Sequence, residues 1–166
     1  QSRSSAASDV YKRQVYETSE DALFQTERYG PRFSYTLTGL RPGPARLKLG
    51  VCEFKYSQPG QRVFSIHANG EPVFEDFDIL RQAAPREALV RTASIQVPED
   101  GVLTLLFLGI VENAKLSFFK LYANEWKVEV KASDGPTVSL GEVAKDAPHL
   151  DGTYETCIGK FGSRIC

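Results

Sequence analysis

The sequence is poor in the residues that hold metals and form disulfides. Its 166 residues include only two histidines and three cysteines. His67 and His149 are far apart and make no metal-ligand spacing with the cysteines, so no metal site is expected. Cys52 lies inside an apolar strand pattern, which predicts a buried small hydrophobic residue. Cys157 and Cys166 fall in a glycine-rich tail, and the odd cysteine count does not define the compartment.

The sequence also lacks a charge excess and a long apolar run. Its net charge is −1, which argues against a nucleic-acid or anionic-membrane surface because either would need clustered Lys and Arg. The longest apolar run, Val102–Val111, is interrupted and is too short to cross a bilayer. Gln1–Gln14 has no apolar core of the kind that a signal peptide requires.

Catalytic motifs are missing as well. The sequence contains no Ser-His-Asp order with elbow glycines, no Cys-His pair in a suitable context and no glycine-rich phosphate loop. A glycosidase would need two carboxylates that flank the scissile bond, and no pattern singles out such a pair. We therefore predict a protein that is not an enzyme and that needs no cofactor.

Three segments differ in composition. Residues 1–14 have almost no apolar pattern and resemble translated adapter sequence, so they are interpreted as a non-native or disordered leader. Residues 15–131 are strongly patterned and are predicted to form one β-sandwich. Residues 132–166 are predicted to be a linker and the start of a second repeat, because Thr153–Cys157 echoes Val15–Ser19. The chain is accordingly interpreted as a fragment of a longer protein.

The patterned segment alternates apolar and polar residues in short runs separated by turn residues. Leu47, Leu49 and Val51 share one face of such a run, as they would in a half-buried strand. Asn69-Gly70 is a strong hairpin signal. The only helical turn is predicted at Glu20–Gln25. The pattern predicts an all-β fold, a sandwich or barrel, with strands at 33–37, 45–53, 62–68, 77–80, 88–97, 102–108, 115–123 and 126–130.

Five motifs in one order resemble the malectin and malectin-like family of carbohydrate-binding domains. They are FQTERYG at 24–30 with FSY at 33–35, LKLGVCE at 47–53, GQRVFSI at 60–66, NG at 69–70 and FEDFDI at 74–79. None is specific alone, but their order and spacing carry the resemblance. It implies a jelly-roll-like antiparallel β-sandwich, here incomplete at its N-terminus, without catalytic activity.

The resemblance also implies a ligand and residues that contact it. The ligand would be a gluco-oligosaccharide or a glycoprotein glycan, stacked on aromatic rings and held by a few polar groups. Tyr29 matches the family tyrosine of the Glu-Arg-Tyr motif. Lys55 and Tyr56 occupy the family's aromatic pair, and Glu112 and Asn113 occupy a family Asp-Asn. A fourth family position, an aromatic residue upstream of Tyr29, has no counterpart. The family favours the endoplasmic reticulum lumen or the cell surface, with intracellular relatives also known.

Each of these residues also has a structural interpretation. Tyr29 would anchor a turn, Tyr56 would pack on the surface, and Glu112 with Asn113 would form a turn. Lys55 would be a solvated charge, or would indicate an acidic sugar or a peptide carboxylate as ligand. Glu53 is predicted to make a structural hydrogen bond at a strand end. The acidic residues of 71–78 are expected to be structural rather than a calcium site.

Two functions remain open. The first is a carbohydrate-binding module that uses Tyr29, Lys55, Tyr56, Glu112 and Asn113. The alternative is a protein- or peptide-binding module on the same scaffold, within a larger receptor, glycosidase or kinesin, and the lysine at position 55 motivates it.

Overall fold

The computed structural model describes Val15 and residues 21–122, 125–132, 137–140, 153–159 and 162–165. One short helix, α1 (Asp21–Phe24), precedes the strands. The strands are β1 (Arg28–Gly30), β2 (Arg32–Leu40), β3 (Gly43–Val51), β4 (Val63–Ala68), β5 (Glu71–Phe77), β6 (Leu89–Val97), β7 (Leu103–Val111), β8 (Ala114–Leu116), β9 (Phe118–Tyr122), β10 (Glu125–Ala132), β11 (Thr137–Leu140), β12 (Thr153–Gly159) and β13 (Gly162–Ile165).

The strands form two large antiparallel sheets and one small ladder. One sheet has the order β11-β10-β2-β7-β4-β5, and the other has the order β13-β12-β9-β3-β6. β1 and β8 make a separate two-stranded ladder. Alternation determines which face each strand buries: in β2, Phe33, Tyr35 and Leu37 are buried while their neighbours are partly exposed. The predicted all-β antiparallel sandwich is confirmed.

The main core lies between the two large sheets. Tyr35 of β2 contacts Phe119 of β9, with ring centroids 5.2 Å apart, so these two strands face each other across the core. Leu47, Leu49 and Val51 of β3 point into it, as the alternation predicts. The sandwich therefore rests on apolar burial, which contributes about 25 cal/mol per Å² of area removed from water.

A second apolar cluster covers the outer face of the β9–β3–β6 sheet. Phe118 belongs to this cluster while its neighbour Phe119 belongs to the main core, as expected for successive residues of a strand. Phe24 from α1 meets Phe118 edge to face, with ring centroids 5.2 Å apart. Cys52 and Val15 complete the cluster, and the prediction that Cys52 is a buried small hydrophobic residue is confirmed. The segment around α1 thus packs on the sandwich.

Several local predictions can be compared with the structure. Asn69 and Gly70 both have positive φ, 51° and 85°, and join β4 to β5 in the expected hairpin. The helical turn at 20–25 is confirmed by α1. The strand predicted at 77–80 is wrong: β5 ends at Phe77, and Ile79–Arg81 is a 3-10 turn capped by Asp78. The strand predicted at 115–123 is divided at Ser117 into β8 and β9.

Two of the sequence predictions concern the ends of the chain. Residues 1–14 lie outside the described residues, and the division at residue 131 stays a prediction. β10 pairs with β2, β11 with β10, and β12 with β9, so each large sheet continues into strands from the C-terminal part of the chain. No helix in the described part of the chain is both long and apolar enough to cross a bilayer.

Replacing Gly50 by alanine is expected to lower the free energy of unfolding by about 1–3 kcal/mol, the usual effect of overpacking. A Cβ at Gly50 would overlap the ring of Phe118, which Phe24 holds from the other side. The urea midpoint, followed by circular dichroism, measures the effect. Gly30→Ala is the matched control, because its Cβ would make only ordinary 3.8 Å contacts. It should change stability by less than about 0.5 kcal/mol, and equal losses in the two variants would contradict the packing argument.

Candidate functional site

The five residues predicted to bind sugar lie on three chain segments at one end of the sandwich. Tyr29 is the middle residue of β1, directly opposite Lys115 of β8. Lys55 and Tyr56 follow β3, and Glu112 with Asn113 form the tight connection from β7 to β8. Glu112 has a φ of 63°, so the turn interpretation of this pair is also correct.

The β7–β8 connection is a tight turn that contacts the chain between β1 and β2. The Gly109 N–H donates to the Pro31 carbonyl at 2.9 Å, which fixes the connection to the chain between β1 and β2. A Cβ at Gly109 would overlap the Glu112 carbonyl, so only glycine allows this approach. The turn thereby presents Glu112 to solvent at a fixed place beside β1.

A buried group of charged residues lies beneath these segments. Glu53 is 0% exposed and Lys115 is 1% exposed. The Arg62 Nε donates to Glu53 Oε2 at 2.6 Å, while the Lys115 ammonium lies 2.6 Å from Glu27 Oε2 and 3.9 Å from Glu53 Oε1. Buried charges are tolerated when they are paired: Arg62 is hydrogen-bonded to Glu53, and Lys115 forms ion pairs with Glu27 and Glu53. Glu27, Glu53, Arg62 and Lys115 are called the charge network below.

Glu53 is the acceptor at the centre of this network. Its Oε1 accepts the backbone N–H groups of Lys55 at 2.9 Å and Tyr56 at 3.3 Å. Burial alone would raise the pKa of the Glu53 carboxyl. The charge of Lys115, the Lys55 amide and the Arg62 guanidinium outweigh burial, so the pKa lies below its usual value. The predicted structural role of Glu53 at a strand end is confirmed, and it fixes the backbone of two candidate site residues.

Above the network, three candidate residues meet directly. The Lys55 ammonium lies 3.3 Å from Glu112 Oε2 and 4.7 Å from the centre of the Tyr56 ring. Hydrogen bonding with Tyr56 and then with Lys55 lowers the pKa of Glu112, and hydrogen bonding with Tyr56 and then with Glu112 raises the pKa of Lys55. Both charges therefore persist over a wider pH range than they would alone. Lys55 is 63% exposed, so it is a solvated charge as one interpretation held, and it is also paired with Glu112.

Arg62 connects the buried and exposed parts of the site. Its Nη1 donates to the Asn113 carbonyl at 2.5 Å, and its guanidinium lies 5.2 Å from the centre of the Tyr56 ring. One side chain thus contacts Glu53, Asn113 and Tyr56. Asn113 is held through its backbone, which leaves its side-chain amide for other partners.

Tyr29 is the most exposed large hydrophobic side chain of the described residues, at 58%. The two residues before it hold this part of the chain: Glu27 pairs with Lys115, and the Arg28 guanidinium lies over the rings of Phe33 and Tyr35 at 4.7 Å and 4.8 Å. Tyr29 and Lys115 are cross-strand partners, and such side chains project from the same face. Tyr29 is thereby linked to the other four residues through the network, without a direct contact among the described atoms.

Sequence reasoning did not identify Glu27, Arg62 or Lys115 as part of this region. One signal was present for Lys115, which together with Lys120 is a charge within the largely apolar stretch of residues 114–121. Glu27 and Arg62 stand within the motifs FQTERYG and GQRVFSI, but nothing local indicates that they are paired, because their partners are distant in the chain. The network depends on contacts that only the fold brings together.

Asp78, which follows β5, has a structural role. Asp78 accepts the backbone N–H groups of Gly60 at 2.6 Å and Leu80 at 3.0 Å, and Arg81 lies 3.4 Å from it. Its oxygens therefore fix a loop and cap a 3-10 turn, as the structural interpretation held. In the part of the chain that the structure describes, no three His, Cys, Asp or Glu side chains form a group that could hold a metal ion.

Comparison with known families identifies the domain. The family model of the malectin domain matches residues 1–139. The chain belongs to the malectin domain family. The sequence resemblance is confirmed, and the malectin fold places the exposed tyrosine and the Lys55–Glu112 pair at one end of the sandwich. No curated protein sequence gives a significant match.

Solved structures share this malectin fold at low sequence identity. The ANXUR1 extracellular domain from Arabidopsis thaliana is 18% identical, with a TM-score of 0.54, and the match covers 60% of this chain and 31% of that one. The ANX1 ectodomain from the same plant is 16% identical, with a TM-score of 0.57 and coverage of 66% and 35%. This malectin domain therefore spans about a third of the ectodomains that it resembles.

A bacterial enzyme contains a similar fold within a much longer chain. Bacteroides uniformis β-glucuronidase is 21% identical, with a TM-score of 0.58, and the match covers 66% of this chain and 13% of the enzyme. At this identity the similarity concerns the fold alone. The same sandwich therefore occurs within receptor ectodomains and within a glycosidase.

Replacing Glu53 by glutamine is expected to lower the free energy of unfolding by about 3–5 kcal/mol, because Arg62 and Lys115 would lose their buried counter-charge. Chemical denaturation at pH 7 measures the loss. Glu112→Gln is the matched control, since it removes an exposed carboxylate and should have little effect on stability. A similar loss of unfolding free energy in both variants would show that the burial of Glu53 is not the cause of the loss.

The effect of Glu53→Gln should depend on pH. The folded protein lowers the pKa of Glu53, so the ionised carboxylate stabilises the fold at pH values above about 4.3, the ordinary value in unfolded chains. That stabilisation is lost as the pH falls through the lower folded value. The gap in urea midpoint between wild type and variant should be constant from about pH 7 to 5 and narrow below about pH 4. A gap that does not narrow would be evidence against an ionised Glu53.

Proposed function

We propose that this malectin domain is a non-catalytic carbohydrate-binding module that recognises a gluco-oligosaccharide or a glycoprotein glycan. The contacts are assigned to Tyr29, Tyr56, Lys55, Glu112 and Asn113. The observation that carries the proposal is the exposed Tyr29 ring at the same end of the sandwich as the ion pair of Lys55 and Glu112. Membership of the malectin family supports a glycan-binding type of module.

A sugar presents apolar C–H faces and directional hydroxyl groups, and the site offers partners for both. Tyr29 has an exposed ring on a strand that is paired with β8 and held by the two residues before Tyr29, so a pyranose can stack on it without ordering a mobile loop. The Tyr56 ring is half-buried between two cationic side chains and forms a firm wall. Tyr29 therefore offers an exposed ring for stacking, and Tyr56 offers a partly buried ring that its neighbours hold in place.

Lys55 and Glu112 supply the polar part of recognition. A carboxylate accepts from sugar hydroxyls and an ammonium donates to them, and these two groups already lie 3.3 Å apart. A hydroxyl that contacts both would replace their direct contact without leaving either charge unpaired. Asn113 adds an amide that can donate and accept. The site thus suits a neutral sugar with adjacent hydroxyls.

Binding without hydrolysis fits the placement of the carboxylates. Glycosidases place two carboxyl groups on either side of the glycosidic bond. Of the three glutamates around this site, Glu112 is exposed and Glu27 is paired with Lys115, while Glu53 is fully buried and both its oxygens accept hydrogen bonds from the protein. Glu53 therefore cannot approach a sugar that lies on Tyr29.

A protein ligand is the second candidate. Ile110 and Val111, at the end of β7, are 54% and 43% exposed and immediately precede Glu112. Together with Tyr29 they give this end of the sandwich an apolar surface larger than a sugar stack requires. A peptide or protein would cover Ile110 and Val111, whereas a disaccharide on Tyr29 and Glu112 would not need them.

Tyr29→Ala is expected to weaken sugar binding about three- to tenfold, because one stacking contact is worth about 1 kcal/mol. Titration of the labelled protein with nigerose, maltose or cellobiose, followed by amide chemical shifts, measures the dissociation constant. Shifts are expected at residues 29, 55–56 and 112–113. Tyr122→Ala is the matched control: Tyr122 lies on β9 opposite Arg46, at the other end of β3 from the site. Its dissociation constant should not change.

The same experiment separates the two functions. Sugar binding that Ile110→Ser leaves unchanged supports the carbohydrate module. A protein ligand whose binding survives Tyr29→Ala and is lost in Ile110→Ser, with no shifts for any glucan or N-glycan probe, would favour the second candidate. If the folded domain binds no glycan on a broad array and no disaccharide at millimolar concentration, the carbohydrate proposal is wrong.

A further inference from the structure

The Lys55 side chain already occupies two of the groups that the proposed function assigns to the sugar. Its ammonium lies 3.3 Å from Glu112 Oε2 and over the Tyr56 ring, 4.7 Å from the ring centre. Hydrogen bonding with Tyr56 is the largest cause of the raised pKa of Lys55 and of the lowered pKa of Glu112, so the three side chains form one closed group. The ring and the carboxylate that would contact a sugar are therefore engaged within the protein itself.

A second cation meets the same ring, but it is held much more firmly. The Arg62 guanidinium lies 5.2 Å from the centre of the Tyr56 ring. Arg62 is buried, and it donates to the Glu53 carboxylate and to the Asn113 carbonyl. It could leave the ring only by breaking both hydrogen bonds and leaving the buried Glu53 without its partner. Arg62 is therefore a permanent neighbour of Tyr56.

Lys55, by contrast, can leave the ring at low cost. Its side chain is 63% exposed and that of Glu112 is 41% exposed. An exposed ion pair and an exposed cation–ring contact each shift an equilibrium by about fivefold at most. The backbone of Lys55 is fixed, since its N–H donates to Glu53 Oε1 at 2.9 Å. The ammonium can thus swing away on its flexible stem while the chain beneath it stays in place.

A sugar that uses Tyr56 and Glu112 needs the positions that the Lys55 ammonium holds. A pyranose stacks in van der Waals contact with a ring, so it cannot share the covered face of Tyr56 with this ammonium. A hydroxyl that donates to Glu112 also competes with Lys55 for the carboxylate oxygens. The displaced ammonium can donate to a sugar hydroxyl, but a neutral hydroxyl is a weaker acceptor than a carboxylate. Lys55 therefore loses more on binding than it gains.

We infer that Lys55 is an internal competitor for the sugar: in the free protein it covers Tyr56 and pairs with Glu112, and a sugar binds by displacing its ammonium from both. This competition rests on the proposed function, because it concerns the sugar contacts assigned there. Lys55 touches the bound sugar and still lowers the affinity, since a contact in the complex and a net contribution to binding are different quantities. It thereby selects glycans with neighbouring free hydroxyls, which give both charges new partners.

Lys55→Ala tests the competition directly. It is expected to bind a neutral disaccharide about three- to tenfold more tightly than the wild type, because the sugar no longer displaces a contact. Titration with nigerose, maltose or cellobiose, followed by amide chemical shifts, measures both dissociation constants. Lys55→Gln keeps most of the side-chain length without the charge and should bind as tightly as Lys55→Ala. Equal or weaker binding by Lys55→Ala would overturn the inference.

Arg46→Ala is the matched control. The Arg46 guanidinium lies over the Tyr122 ring, 5.7 Å from its centre, so this variant also removes a cation from a tyrosine, at the other end of β3. Both variants lose one positive charge. The sugar affinity of Arg46→Ala should equal that of the wild type. A gain as large as that of Lys55→Ala would show that net charge, and not the place of Lys55, is the cause, which contradicts the inference.

Salt provides a readout that a merely structural role of Lys55 would not change. Ions screen an exposed pair, so raising NaCl from about 20 mM to about 500 mM weakens the contact between Lys55 and Glu112. The affinity of the wild type for a neutral disaccharide should rise about twofold, while that of Lys55→Ala should stay constant. A wild-type affinity that is constant or falls with salt would count against the competition.

The place of the ammonium can be followed in the wild type itself. The ring of Tyr56 shifts the NMR signals of the Lys55 methylene protons in the free protein, and a Tyr56→Leu variant gives the unshifted reference. Saturation of the wild type with disaccharide should move these signals to the reference position. Signals that keep their free-protein position in the saturated complex would show that Lys55 stays on the ring, and the inference would be wrong.

The outcomes distinguish a failure of the competition from a failure of the proposed function. If the wild type binds a disaccharide and Lys55→Ala binds it no better, the competition fails and the carbohydrate function stands. If neither protein shows shifts with any disaccharide at millimolar concentration, the carbohydrate function fails and the competition fails with it.

Discussion

The buried pairing of Glu53 with Arg62 and Lys115 is the interaction on which the functional end of the sandwich depends. Charges at these depths destabilise a protein unless each has a partner and further hydrogen bonds. Here the bonds come from the backbone of the loop after β3, from the chain before β1 and from the β7–β8 connection. A requirement of electrostatics therefore determines how three chain segments meet. The apolar core could form without the network, but the end of the sandwich could not have this shape.

The residues that hold the site in place differ from the residues that would contact a ligand. Glu53, Arg62 and Lys115 are buried and satisfied within the protein, so they hold the backbone of Lys55, Tyr56 and Asn113. Lys55 and Glu112 remain at the surface, where a ligand can compete for their mutual contact. A rigid base reduces the entropy lost when a ligand binds, because the side chains above it are already ordered. The same base also ties stability to the ionised state of Glu53, since its pKa is lowered.

The sequence was sufficient for the parts of the structure that are determined by local patterns. Alternation in β2 and β3 and the Asn69-Gly70 turn predict the sandwich and one hairpin because side-chain period and turn chemistry act over a few residues. The family motifs point to Tyr29 and Glu112. The 3-10 turn after Phe77 was missed, because its cap bonds to Gly60, eighteen residues away. Lys115 and Arg62 were missed for the same reason: their role exists only in the fold.

The edge strands β5 and β6 show the same difference between what a local sequence pattern determines and what the sheet order determines. The sequence of β6 is an ordinary alternating strand, and nothing in it indicates that one edge stays open. That property follows from sheet order, which places β3 on one side of β6 and no described strand on the other. β5 carries proline, a bulge and carboxylates at the corresponding edge of the facing sheet. Proline and register shifts mark β5 as an edge strand from its own residues, whereas the end position of β6 among the described strands is known only from the order of the sheet.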